Sequence, residues 1–284
     1  MATVTIGVPV FNGAETLREC LQCLRDQTYR DIEILIGDNC STDNSVEIAQ
    51  AFVEADPRFK LIRRPEDIGA KLNFTSLVGE ATSELFIWRA DDDLSDANFV
   101  ECLKARWDED VSTDLVAPRI VSQDSDGTIL WDASFPAVAS KTRAGRIGEM
   151  LSRANVSWVY GLWNRERLFE ILERTGPGYP YLWAWDPLTI FPALLDEGVL
   201  GCDETRLVKR KFSSRCSSRT SAANMFAMRR AFRVTCFQEF NRRRWSLAER
   251  LFLMVYVYRY ANKRVYRFFK AFRCFYREKL GLLR

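Results

Sequence analysis

Short apolar runs alternate with stretches of helical periodicity over the first hundred residues of the chain. Continuous apolar runs predict buried strands at residues 4–10, 32–36, 59–62 and 85–88. Apolar residues recur at helical spacing from Leu17 to Leu24, and Asn12 with Glu15 three residues later predicts a capping box that opens this helix. Further helices are predicted at residues 46–53 and 71–81.

This alternation of strands and helices predicts an α/β fold with a mostly parallel sheet and helices on both faces. Such sheets bind ligands beyond the carboxyl ends of their strands. The polar loops after the first, second and fourth strands should therefore share one crevice. The chain has neither a G-x-G-x-x-G run after the first strand nor a G-x-x-x-x-G-K-[ST] run, which argues against dinucleotide-binding and P-loop sites.

The second hundred residues show a less regular pattern. Residues 124–127 predict a hairpin turn, 156–163 a strand and 165–174 a helix. We expect a catalytic domain at 1–220, divided into halves at 1–110 and 111–220, followed by a tail of amphipathic helices at 221–284.

Three adjacent carboxylates, Asp91, Asp92 and Asp93, follow the fourth predicted strand. Neighbouring negative charges raise the cost of ionisation unless a cation lies among them. Hard oxygen ligands suit Mg²⁺ or Mn²⁺, which proteins often hold together with substrate phosphates. The alternative is a solvated acidic loop that opens a helix.

A second candidate follows a loop rich in turn residues, where Asp186 comes directly after Trp185 and close to Trp183. Aromatic walls stack on sugars and desolvate a carboxylate. The alternative, which this segment alone favours, is that Asp186 is a helix N-cap before Pro187. Trp158, Trp183 and Trp185 are candidates for acceptor-side walls, or for core residues.

The chain has 8 cysteines and no histidine. Catalysis by Ser-His-Asp or Cys-His is therefore excluded, and a general base must be Asp, Glu, Lys, Tyr or Cys. Cys20 and Cys23 fall within a helical pattern and have no partner pair at zinc-site spacing. We expect reduced cysteines and a cytoplasmic protein.

Four segments together resemble glycosyltransferase family 2, whose members have the GT-A fold: residues 8–12, 38–43, 67–73 and 88–94. The resemblance extends from about residue 3 to about residue 212. It implies an inverting transferase that uses a nucleotide-diphosphate sugar and a divalent metal, Mn or Mg. The residues it assigns to the nucleotide sugar are Pro9, Phe11, Asn12, Asp38, Asn39, Lys71, Asp91 and Asp92, and those it assigns to the metal are Asp91 and Asp93.

The same resemblance implies that Asp186 is the catalytic base, although Trp185 stands where the family usually has Glu. Lys209, Arg210 or Lys211 would contact the diphosphate in place of a family histidine. We expect a UDP-sugar donor and a glycan or lipid-linked acceptor in bacterial surface polysaccharide synthesis. The alternatives are a nucleotidyltransferase and a non-catalytic scaffold that binds sugar or lipid.

Residues 225–284 contain 16 basic and 3 acidic residues, whereas the rest of the chain contains 25 and 35. Apolar residues from Leu247 to Phe275 recur at alternating steps of four and three, which predicts one long amphipathic helix. We expect residues 245–280 to contact an anionic membrane surface on its cytoplasmic side. Packing on the catalytic domain, homo-oligomer formation and nucleic-acid binding are alternatives, the last the least favoured because the catalytic half is acidic.

Overall fold

The computed structural model describes residues 2–211, 221–265 and 272. They divide into two compact units. The first contains residues 2–135, 157–170 and 198–211, and the second contains 136–156, 171–197 and the described residues beyond 220. These borders differ from the predicted division after residues 110 and 220. Segments distant in sequence pack together in each unit.

The described strands of the first unit form one sheet. They are β1 (Val4–Val10), β2 (Ile32–Asp38), β3 (Phe59–Arg63), β4 (Leu85–Trp88), β5 (Leu94–Ser95), β6 (Leu115–Asp124), β7 (Ile129–Ala133), β8 (Leu162–Asn164) and β9 (Val199–Lys211). Their order is β3-β2-β1-β4-β8-β6-β9-β5, with β7 paired to β6. The first four strands are parallel, as are β6 and β9, and the other pairs are antiparallel. The predicted α/β class is confirmed.

The described α-helices are α1 (Leu17–Arg25), α2 (Ser45–Ala55), α3 (Ala70–Glu80), α4 (Phe99–Glu109), α5 (Arg143–Arg153), α6 (Arg165–Thr175), α7 (Trp185–Leu195), α8 (Ala222–Asn241) and α9 (Leu247–Arg264). The apolar spacing from Leu17 to Leu24 gives the buried face of α1, as predicted. The hairpin predicted at 124–127 joins β6 to β7, and Gly127 adopts the positive φ of 81° that this turn requires. The cysteines of the described residues are unpaired, as expected.

Three local predictions are wrong. Asn12 does not cap α1, which starts at Leu17 after Thr16; instead its φ is 51° and its side chain accepts a hydrogen bond from the loop after β2. Residues 156–163 form a short 3₁₀ helix over Val156–Tyr160 and only then the three-residue β8. Asp186 is not an N-cap, because α7 begins at Trp185.

In the second unit, α5 packs on α7 and α9, and α8 packs on the same two helices. The Tyr260 hydroxyl of α9 donates to the Pro187 carbonyl of α7 at 2.6 Å. The ring of Tyr256 packs closely over Gly148, where an added Cβ would lie 3.1 Å from it. Among the described residues, no helix has the length and hydropathy needed to cross a bilayer.

Candidate functional site

The carboxyl ends of β1, β2 and β4 lie side by side in the sheet, because β1 pairs with both of the others in parallel register. The loops that follow these strands carry the residues predicted from the first hundred positions. Hydrogen bonds and close packing join these loops, so Phe11, Asn12, Asp38 and the acidic triplet meet at one edge. This is the edge at which the sequence predicted a crevice.

Hydrogen bonds join the loop after β1 to the segment after β2. The Asn12 backbone N–H donates to Ser41 Oγ at 2.9 Å, and the Thr42 N–H donates to Asn12 Oδ1 at 2.8 Å. The Gly13 N–H donates to Ser45 Oγ, and the Ala14 N–H donates to Asp43 Oδ2. Asn12 therefore positions the two loops against each other through its side-chain oxygen.

Asp38 ends β2 and is 2% exposed. Its Oδ2 accepts a long hydrogen bond of 3.3 Å from the Ser41 N–H, whereas its buried Oδ1 has no hydrogen-bond partner among the described residues. A buried acceptor without a donor costs free energy, and a ligand N–H placed there would remove that cost. Phe11 lies just beyond β1 and is 49% exposed, which leaves an aromatic face for a planar ligand. Pro9, by contrast, is buried inside β1.

Asn39 fixes a third loop, the one between β3 and α3. Its Nδ2 donates to Asp67 Oδ1, and its Oδ1 accepts from the Ile68 N–H at 3.0 Å. Gly69 ends this loop with a φ of 82°, which favours glycine, and α3 begins at the next residue. Asn39 therefore holds this loop in its conformation through its side-chain amide.

Lys71 lies in the first turn of α3, which starts at Ala70. Burial lowers the pKa of its ammonium below the ordinary value of 10.5. The N-terminus of a helix attracts anions through its exposed N–H groups and dipole. The Lys71 ammonium and the N-terminus of α3 together favour the binding of a phosphate group.

The acidic triplet packs against the loop after β1. Asp91 is 8% exposed, and its carboxylate fills the space beside Gly13, where an added Cβ would overlap Asp91 Oδ2. A side chain at position 13 would therefore displace the Asp91 carboxylate, a role for Gly13 that no sequence motif indicated. Asp92 is partly exposed, and Asp93 is 2% exposed.

Asp93 meets the end of β9, because β5 pairs with β9 just beyond the triplet. Its Oδ1 accepts from the Arg210 backbone N–H at 3.2 Å, and Lys209 Nζ lies 3.2 Å from its Oδ2. The ammonium of Lys209 also lies 4.1 Å from the centre of the Tyr160 ring. Burial raises the pKa of the Asp93 carboxyl, and the Lys209 charge opposes that rise.

Two arginines complete the surroundings of the triplet. Arg210 donates through Nε to the Asp92 carbonyl and pairs with Glu19. Arg89 is fully buried, donates to Ser95 Oγ at 3.0 Å and stacks on Phe99. The positive charge of Arg89 also lowers the pKa of Asp93, although less than burial raises it. Sequence reasoning missed Arg89, and its only signal was its place beside the triplet.

The described residues contain no cluster of three His, Cys, Asp or Glu side chains that could bind a metal by themselves. The residues present nevertheless fit a metal held jointly with phosphates, which needs only one or two carboxylates. Asp93 Oδ2 is buried, has no hydrogen bond of good geometry among the described residues and faces the Lys209 ammonium at 3.2 Å, so a metal ion there would compete with that ammonium. Asp91 and Asp93 are therefore the candidate ligands.

The remaining candidates lie in the second unit, apart from Trp158. Asp186 is the second residue of α7 and is partly exposed. Trp183 is 51% exposed, whereas Trp185 is buried. Trp158, in the first unit, is buried and stacks on Phe135 at 4.9 Å, which is the core alternative for this residue. Ala184, before α7, has a φ of 62°.

Comparison with known proteins gives concordant findings, of which two concern relatives in sequence. GlyG, a glycosyltransferase of Streptococcus pneumoniae, is 30% identical over 157 residues, which are 55% of this chain and 52% of GlyG. The putative glycosyltransferase EpsH of Bacillus subtilis is 35% identical over 115 residues, 40% of this chain and 32% of EpsH. The chain thus matches about half the length of GlyG and less of EpsH.

Solved structures share the fold. Staphylococcus aureus TarS 1–349 with UDP-GlcNAc superposes with a TM-score of 0.67 at 16% identity, over 90% of this chain and 71% of that one. The mannosyltransferase PcManGT of Pyrobaculum calidifontis, with GDP-Man and Mn²⁺, gives 0.55 at 18% identity, over 92% and 69%. The expected GT-A fold is confirmed. The model of the family described as "Glycosyl transferase family 2" matches residues 5–175, more than half of the sequence, and the chain belongs to that family.

Proposed function

We propose that the protein transfers a sugar from a nucleotide-diphosphate sugar, a UDP-sugar, to a hydroxyl of a glycan or lipid-linked acceptor. One observation carries this proposal. Asp38 Oδ1, a buried acceptor without a hydrogen-bond partner among the described residues, and the acidic triplet lie at the same edge of the sheet, beyond the carboxyl ends of β1, β2 and β4. At such an edge, Asp38 would bind the nucleotide base, and the acidic triplet would bind the diphosphate together with its cation.

The base end favours uracil on chemical grounds. Uracil presents one ring N–H between two carbonyl oxygens, and Asp38 Oδ1 is a single acceptor. Phe11, half exposed beside it, offers a face for stacking. TarS binds UDP-GlcNAc and PcManGT binds GDP-Man, so both uridine and guanosine donors occur on this fold.

Asp91 and Asp93 would hold a divalent cation, Mn²⁺ or Mg²⁺, that neutralises charge on the leaving diphosphate. Lys209 supplies a positive charge to Asp93. With a cation held by Asp93, the Lys209 ammonium would be available to the diphosphate. Lys71 and the N-terminus of α3 supply further positive potential to the phosphates.

Asp186 is the proposed general base. It accepts the proton of the acceptor hydroxyl as the hydroxyl oxygen forms its bond to the anomeric carbon and the bond to the diphosphate oxygen breaks. A single displacement of this kind inverts the configuration of the sugar. We place the reaction in bacterial surface polysaccharide synthesis, on the cytoplasmic side of the membrane.

The test is the release of nucleoside diphosphate from a panel of UDP-, GDP- and dTDP-sugars, with Mn²⁺, with Mg²⁺ or with EDTA. Metal-dependent release from one donor, with the free sugar or a glycoside as second product, supports the proposal. Pyrophosphate release from nucleoside triphosphates would instead indicate a nucleotidyltransferase. Tight binding of a nucleotide sugar with no turnover, in the presence of diverse glycan acceptors, would indicate a scaffold.

A further inference from the structure

The described part of the basic tail exposes an apolar face on α9. Leu247, Leu251, Met254, Val255 and Tyr258 are each between 41% and 74% exposed. Their spacing of 4, 3, 1 and 3 residues puts them on one side of the helix, and we call this side the outer face of α9. A contiguous set of large exposed apolar side chains marks a surface that binds another protein, a ligand or a membrane.

The outer face differs from the face that packs in the second unit. Leu253, Val257 and Tyr260 are buried against the rest of that unit. Of the apolar stripe predicted from the sequence, the first four members point to solvent, whereas Ala261 and Val265 are buried. Phe272 of that stripe is exposed as well. Its remaining members fall on residues 266–271 and 273–284, which lie outside the described residues.

The apolar surface continues from α9 onto α8. Tyr258 of the outer face lines a cavity of about 450 Å³ together with Val234, Phe237 and Arg233 of α8. Val234 is itself 46% exposed. Two neighbouring helices therefore present apolar side chains to the same side, with an arginine at the margin.

The exposed charges on α8, on α9 and on the turn between them have one sign. Within residues 221–265, every charged side chain that is exposed is a cation, and there are seven: Arg230, Arg233, Arg242, Arg244, Arg250, Arg259 and Lys263. The two acidic residues of this segment are occupied in the fold. Glu239 is buried and pairs with Arg174 at 2.8 Å, and Glu249 completes the capping box of α9 with Ser246.

The exposed apolar face and the surrounding cations together distinguish three kinds of partner, namely a second copy of the chain, nucleic acid and a lipid surface. A second copy docked through the same face would bring these arginines against each other, which like-charge repulsion opposes. Nucleic acid would satisfy the cations but would leave Leu247, Leu251, Met254 and Val255 against phosphates and water. An anionic lipid surface satisfies both, since acyl chains take the apolar side chains and head groups pair with the cations.

We propose that α8 and α9 dock in the plane of an anionic membrane surface, with the outer face of α9 entering the boundary between head groups and acyl chains. Each cation near such a surface adds to the attraction, so several of them together bind without any spanning segment. This docking does not depend on the chemistry proposed for the sheet edge. A chain that binds vesicles and transfers no sugar would retain this inference and lose the other.

The test is flotation of the full-length protein with vesicles of phosphatidylcholine alone or with 30% phosphatidylglycerol, at about 0.1 M salt. The double substitution Leu251→Glu/Met254→Glu puts two carboxylates into the outer face at exposed positions. Val111→Glu, at another exposed apolar residue in the first unit, is the matched control. Thermal melting of each variant verifies that the fold is retained.

We expect binding to the anionic vesicles at least tenfold above binding to the neutral ones, lost at least tenfold in the double variant and kept in the control. Equal binding to both vesicle types, or unchanged binding by a folded double variant, would overturn the proposal. So would wild-type protein that stays unbound and instead forms a dimer, detected by light scattering, that the double substitution abolishes.

Discussion

The ammonium of Lys209 lies 3.2 Å from Asp93 Oδ2, in the position of a counter-ion for the most buried carboxylate of the acidic triplet. The two residues are far apart in sequence and meet because β9 runs antiparallel to β5. Lys209 Nζ also lies over the Tyr160 ring. The site therefore carries its own cation, which any metal ion at Asp93 has to displace.

Substitution of Lys209 by Met should destabilise the protein at neutral pH by about 2 kcal/mol, less than the 3–5 kcal/mol typical of a fully buried pair because Lys209 is partly exposed. Burial raises the pKa of Asp93 in the folded state, and loss of Lys209 raises it further. A raised carboxyl pKa destabilises the folded protein at neutral pH, and that cost shrinks as pH falls through the folded-state pKa.

The measurement is urea unfolding of wild type and Lys209→Met at pH 7.5 and pH 5. The stability deficit of the variant should be smaller at the lower pH. Lys104→Met, which breaks the i,i+4 pair of Lys104 with the exposed carboxylate of Asp108 on α4, serves as the control and should cost less than 1 kcal/mol at both values. A deficit of Lys209→Met that grows as pH falls would contradict the assignment of Lys209 as the counter-ion.

Lys209→Met should also bind Mn²⁺ more tightly than wild type in the absence of nucleotide, because the competing ammonium is gone. We expect about a tenfold gain in affinity, equivalent to about 1.4 kcal/mol. Electron paramagnetic resonance of free Mn²⁺ during a titration measures it without any turnover. Equal or weaker Mn²⁺ binding by the variant would show that Lys209 and the metal do not share Asp93.

Gly13→Ala tests the contact between the loop after β1 and the acidic triplet. The new methyl group overlaps the Asp91 carboxylate, which has to rotate away, so Mn²⁺ affinity should fall about tenfold or more. The free energy of unfolding should fall by about 1–3 kcal/mol. Gly79→Ala is the matched control, because an added Cβ in that helix lies 3.5 Å from its nearest neighbour. If both variants bind Mn²⁺ like wild type, Asp91 is not a ligand.

Asp186→Asn tests the proposed base. Asparagine keeps the shape of the side chain but cannot take a proton, so kcat should fall by about 10²–10⁴ while the affinity for donor stays within about twofold. Asp126→Asn, on the exposed hairpin turn, controls for the charge change. A kcat within a factor of three of wild type would assign the base to another residue.

The sequence predicted the parallel half of the sheet well, because strands that are buried on both faces are continuous apolar runs and the helices between them are periodic. It also brought Asp38 and Asp93 to one edge, since parallel strands align their carboxyl ends. Asn12 was misassigned because the side chain that suits an N-cap suits equally well a bridge between loops. The sequence did not indicate that Lys209 pairs with Asp93, because the antiparallel pairing of β5 with β9 leaves no local pattern. Nor did it indicate that Gly13 makes room for the Asp91 carboxylate, because that contact joins two distant segments.

The apolar stripe of the tail is a second case in which contacts between distant segments could not be predicted from the sequence. Spacing alone predicted that one face of the helix is apolar, but α9 is apolar on two adjacent faces. Which of them packs on α5 and α8 depends on partners that are distant in sequence, such as Gly148 under Tyr256. Periodicity therefore predicted that this helix is amphipathic, but it could not predict which residues remain exposed.

The central claim is tested most directly by the rate of UDP release from the preferred UDP-sugar in the presence of Mn²⁺, for wild type, Asp93→Ala and Asp108→Ala. Asp108 is an exposed carboxylate on α4 and controls for the loss of charge. The account predicts that EDTA and Asp93→Ala each reduce the rate at least a hundredfold, and that Asp108→Ala stays within twofold of wild type. A folded Asp93→Ala variant that releases UDP at the wild-type rate would contradict it.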